Sequence, residues 1–255
     1  MIIRYGLFEC DFIFGYELDI KMDIPVGNFT DKDIKKANEE FNRIIKELNV
    51  GSYVFVKFYP SVEFLKISFE NLPKSEAGYA EQNDKIAFNT SIYFILKDTF
   101  TKLKNNIFPT DENTLSMNFF THEYSHTTEV FPYPAMDILD LMLFEGLREI
   151  ISWQYTSAFL GKFYNKESSY FFDILANNSP IYKNVTNILK PMFYRFKDKD
   201  IFFKVNEVLR KNSHNDIFKD FGDVITEVTN KETSRNIISD IRTKLERIIK
   251  VMPIS

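Results

Sequence analysis

His122 and His126, four residues apart with Glu123 between them, constrain this chain more than any other feature. On a helix, side chains at that spacing stand one turn apart on the same face. Two imidazoles so placed can hold one metal ion, and Glu123, one step round the helix, can reach a water on that metal. The chain has only three histidines, and two of them are in this motif. Leu115, Phe119, His122 and His126 follow one another in steps of four, three and four, so the motif continues an apolar helical stripe. The histidines should therefore face inward, where a metal would satisfy them.

A third donor is needed to hold the metal firmly. Glu145 is separated from His126 by eighteen residues, 127–144. That gap accommodates the end of one helix, a short loop and the first turns of a second helix packed against it. Leu141, Glu145 and Glu149 share one face of the second helical pattern, and a carboxylate pair on a largely apolar face needs a partner.

The segments His122-Glu123-Tyr124-Ser125-His126 and Phe144-Glu145-Gly146-Leu147-Arg148-Glu149 carry a resemblance. An H-E-x-x-H motif with a glutamate ligand on a following helix resembles the gluzincin metallopeptidases. More narrowly, the pair is similar to a family of predicted bacterial zinc proteases that reads H-E-Y-x-H and later E-G-L-A-E. The resemblance covers about 85–153 and is specific at the two motifs. Arg148 stands where that family usually has a small residue.

The resemblance implies a zincin-like fold and a zinc-dependent peptide-bond hydrolase. Zn2+ would be held by His122, His126 and Glu145, with a zinc-bound water activated by Glu123. Glu149 would orient His122 from its non-ligating side, or else exchange roles with Glu145. A donor for the oxyanion would come from the C-terminal part. His214 is the one remaining histidine, and a surface residue near a helix start is the other reading of it. Lys85, Ile86, Ala87, Phe88 and Asn89 would form an edge strand binding extended substrate, or an ordinary surface hairpin. The alternatives to a protease are a zinc-containing but inactive peptide-binding module and a helical interaction protein with a fortuitous motif.

Composition narrows the remaining classes. At 44% hydrophobic and 27% charged residues, the chain matches a soluble globular protein of one large domain or two lobes. Its formal net charge is -4 and no lysine-arginine block stands out, which argues against a nucleic-acid partner; a peptide or protein substrate is what the resemblance implies. Cys10 is the single cysteine, so a cysteine-rich zinc site is excluded. Acidic residues interrupt the first twenty positions, and no stretch approaches a membrane span, which leaves the cytoplasm as the expected location.

Along the chain, strands are expected within 2–24, then a helix capped by Thr30 and Asp33 and ending at Gly51. The Val- and aromatic-rich segment 53–59 reads as a strand, 64–69 as another, and 79–88 as a hairpin. Helices are expected over 91–103, 112–128, from 136 to a stop near Gly161, and over 168–176, 182–196, 200–210, 216–229 and 232–251. The expected fold is α+β and mostly helical. A mixed lobe over 1–128 ends in the H-E-x-x-H helix, and a helical lobe over 129–255 carries the third ligand.

Overall fold

Thr30 fixes the start of the first helix, α1 (Asp31–Gly51). The Asp33 N–H donates to Thr30 Oγ1 at 3.3 Å and the Thr30 N–H donates to Asp33 Oδ2 at 3.0 Å, a reciprocal capping box. Ala37, Phe41, Ile44, Ile45 and Leu48 form its buried stripe, at the three- and four-residue spacing of the sequence. These coordinates belong to a computed structural model that describes residues 5–6, 29–72, 78–81, 85–127, 137–180, 182–210 and 216–251. Most of the strand-like segment 2–24, with Cys10, lies outside the described residues.

The segment expected as a strand at 53–59 is a short helix, α2 (Tyr53–Phe58). Ser52 caps it by accepting from the Phe55 N–H. Burial falls on Phe55 and Tyr59, four residues apart, while Tyr53 is exposed. Placement of two aromatic anchors at helical spacing overrides the β propensity of Val and Tyr here.

Four strands form one small sheet in the order β1 (Tyr5–Gly6), β3 (Gly78–Glu81), β4 (Lys85–Asn89), β2 (Lys66–Glu70). β3 and β4 are the expected hairpin, antiparallel, with Tyr79 opposite Ala87. β2 runs parallel to β4, with Lys66 opposite Lys85 and Glu70 opposite Asn89. The outer side of β2 is covered by α1. The Phe69 N–H donates to Asn38 Oδ1 at 2.6 Å, and Asn42 Nδ2 donates to the Ile67 carbonyl at 2.9 Å.

Helix α3 (Tyr93–Lys104) leads into α4 (Asp111–Thr127), which carries the histidine motif. From Asn113 to Thr127 every residue of α4 except Leu115 and Ser125 is buried, so the helix is enclosed on all sides rather than along one stripe. Its first turn is anchored by Asn113. Asn113 Oδ1 accepts from the Thr110 N–H at 3.0 Å and from Lys102 Nζ at 2.8 Å, and Asn113 Nδ2 donates to Asp98 at 2.8 Å. Phe120, on its flank, meets Phe100 at 4.8 Å between ring centroids and stacks on Phe88 at 6.1 Å. Phe41 joins the same aromatic core against Phe69 and Phe100, each at 5.1 Å.

Helix α5 (Ile138–Tyr164) carries the second motif. It continues past Gly161, where a stop was expected. A Cβ at Gly161 would lie 2.9 Å from the Lys166 carbonyl, so this glycine admits the returning chain and does not end the helix. Five helices follow: α6 (Ser168–Asn178), α7 (Lys183–Phe196), α8 (Ile201–Leu209), α9 (Ile217–Val228) and α10 (Lys231–Val251).

The described residues divide into two compact units. One takes in 5–6, 29–127 and 152–179, and holds the sheet, α1 to α4, the second half of α5 and α6. The other takes in 137–151 and 180–251 and is wholly helical. Within it Phe193 packs on Phe202 at 5.0 Å, and the Arg242 guanidinium lies 4.2 Å over the Phe218 ring. The fold is therefore α+β and mostly helical, and among the described residues no helix is long and apolar enough to cross a membrane.

Candidate metal centre

Ionisable side chains are seldom buried, because leaving water costs several kcal/mol unless a partner compensates. Among the described residues, every buried Asp, Glu, Lys, Arg or His lies in one of two segments, 122–126 and 145–149. They are His122, Glu123, His126, Glu145, Arg148 and Glu149, and none is more than 4% exposed.

The two histidines and Glu145 come together. Their ligand atoms, one from each residue, all lie within 4.8 Å of one another. His122 Nε2 and His126 Nε2 are 3.3 Å apart, an approach that the four-residue helical spacing allows. Two ring nitrogens this close either share a proton or turn both lone pairs toward one cation. Two imidazoles and a carboxylate form a donor set suited to a divalent transition ion. The group can therefore bind a metal ion.

Strand β3 lies beside α4 at Glu123: a Cβ at Gly78 would be in ordinary van der Waals contact with Glu123 Cγ, at 3.6 Å. The tight approach there, 2.9 Å to the Ala87 carbonyl, is to the paired strand β4, and it is this contact that calls for glycine. The rotation of α4 about its axis is fixed by hydroxyl groups. Thr121 Oγ1 is 2.8 Å from Tyr59 Oη and 2.9 Å from Thr156 Oγ1. Burial raises the Tyr59 pKa well above the ordinary phenol value, so this hydroxyl is a neutral hydrogen-bonding group. Tyr124, one residue from Glu123, points into the same aromatic cluster and hydrogen-bonds Ser61 Oγ at 2.9 Å.

Glu145 is positioned by the glycine that follows it. A Cβ at Gly146 would lie 2.3 Å from Val185 Cγ1 and 3.1 Å from Leu189 Cδ1. Helix α5 therefore sits directly on α7 at this point. Arg148, one turn further, lays its guanidinium 4.4 Å over the Phe144 ring.

The strand Lys85–Asn89 does not fit its expected role. An edge strand needs one open side, and β4 is paired with β3 on one side and β2 on the other. Ile86, Ala87, Phe88 and Asn89 are buried, and Lys85 pairs with Glu70 at 2.5 Å. The hairpin is present, but its second strand became the middle of the sheet because β2 joins it in parallel. Lys85, Ile86, Ala87 and Phe88, paired on both sides, therefore have no open backbone edge with which to bind substrate, and Asn89 is paired with Glu70 of β2. His214 lies outside the described residues. Glu149 is buried on α5, one turn beyond Glu145. The residues that sequence reasoning passed over are Arg148, noted only as an oddity, and the Tyr59–Thr121–Thr156 hydroxyls. The three-residue step from Glu145 to Arg148 was the available signal. Comparison of the chain with protein-family models, curated proteins and solved structures returns no match.

Proposed function

We propose that this chain is a zinc-dependent peptide-bond hydrolase of the gluzincin kind, with His122, His126 and Glu145 as ligands and Glu123 as general base. The observation that carries the reading is the confinement of every buried ionisable group, among the described residues, to the two motif segments. Two imidazoles and one carboxylate are one of the ligand sets of catalytic zinc. The 3.3 Å between the histidine nitrogens would let both lone pairs serve one ion.

When bound, zinc supplies Lewis acidity that polarises a carbonyl and makes water a better acid. Glu123 is the group beside the ligands that takes a proton from the attacking water. It then delivers that proton to the departing amine. Glu149 is assigned to orienting His122 through its non-ligating nitrogen.

The test is Glu123→Gln. This variant should keep bound zinc and its thermal unfolding temperature, and lose cleavage of a peptide library by several orders of magnitude. Undiminished cleavage by Glu123→Gln would exclude the assigned base. Zinc bound by wild-type protein that cleaves no peptide in the library would reduce the reading to a binding module.

A further inference from the structure

We propose that Arg148 is the charge-balancing residue of the metal centre, holding its buried groups at the formal charge that a single divalent cation neutralises. The inference rests on the zinc reading of the same site. Among the described residues the buried carboxylates are Glu123, Glu145 and Glu149, a formal charge of -3, and the only buried lysine or arginine is Arg148. With neutral imidazoles the sum is -3 + 1 = -2. One dication brings it to zero.

Three features make Arg148 suited to this task. A guanidinium stays protonated even when fully buried, so its charge does not depend on occupancy of the site. Its plane rests on the Phe144 ring, so the charge is fixed in place by packing. It lies between Glu145 and Glu149 on one helix, within about 10 Å of both by helical rise alone. A lysine could carry the charge but loses it more readily in an apolar setting.

This role has a signature opposite in sign to that of a structural prop. A prop, once removed, loosens Glu145 and weakens the metal. Removing a balancing charge leaves -3 in a buried group and strengthens attraction for a dication. A unit charge about 10 Å from a dication changes affinity by about fourfold at the dielectric of bulk water and by over a hundredfold at an effective dielectric of about 20. The metal-free protein, by contrast, should lose stability, because its buried carboxylates then lack the one buried arginine charge.

The experiment compares wild type, Arg148→Met and Arg148→Lys by chelator competition for zinc and by thermal unfolding with and without zinc. Arg148→Met should bind zinc about tenfold tighter or more, and its stabilisation by zinc should exceed that of wild type. Arg148→Lys, which restores the charge in part, should lie between wild type and Arg148→Met. Equal or weaker zinc affinity in Arg148→Met, or a variant that fails to fold even in excess zinc, would overturn the balancing role and leave a structural one. Wild-type protein that binds no zinc would instead overturn the metal reading itself, and this inference with it.

Discussion

At Gly146 a missing side chain places the third donor. A methyl group there meets Val185, which is β-branched and stiff, so relief must come from displacing α5 from α7. Gly146→Ala should lower stability by about 1–3 kcal/mol and weaken zinc binding through Glu145. Denaturant unfolding and chelator competition measure the two effects, and a variant with unchanged zinc affinity would separate helix packing from ligand placement. Glu145 and Glu149 provide a second contrast at this scale. Loss of a ligand opens a coordination position, whereas loss of an orienting carboxylate costs about 10–100-fold in metal affinity or activity. Glu145→Ala should therefore weaken zinc binding much more than Glu149→Ala, and the reverse order would exchange their roles. The pair His122 and His126 was legible in the sequence because helical periodicity alone puts them on one face. The burial of Arg148 was not, because arginine on a helix is ordinarily at the surface, and nothing local marks the exception.

The elements reward the same comparison. Capping box, apolar stripe and glycine end made α1 readable from Thr30 to Gly51, because each of those signals acts within one or two turns. α2 misled because its cap, Ser52, is equally common in loops, and its aromatic anchors find their partners far along the chain. Phe55 packs on Phe100 at 6.1 Å and Tyr59 on Phe159 at 5.1 Å. The middle position of β4 was hidden for a related reason. A parallel partner such as β2 is joined through a distant connection, and periodicity within a strand says nothing of who its neighbours are. The outer edge of the sheet at β2 yields a prediction. Asn38 accepts the Phe69 N–H, a group that would otherwise be an unpaired strand edge. Asn38→Ala should destabilise the protein by about 1–3 kcal/mol in denaturant unfolding. A loss below about 0.5 kcal/mol would mean that water replaces the amide at no cost.

On the scale of the whole molecule, the helices of the second half were read within a few residues of their bounds because each is amphipathic at a period of 3.6. What periodicity could not convey is which stretches pack together. The chain leaves the first unit before α5 and returns to it at 152, halfway along that helix. The candidate site follows the same division between local and distant information. His122 and His126 were fixed by spacing, Glu145 by an eighteen-residue gap that two packed helices can span, and the structure brings all three within 4.8 Å. The account predicts about one zinc per chain in wild-type protein purified without chelator, and little metal in His122→Ala or His126→Ala. The direct measurement is elemental analysis of the three proteins side by side, each checked for folding by circular dichroism. Metal absent from wild type, or retained at the wild-type level in both folded histidine variants, would contradict the metal centre.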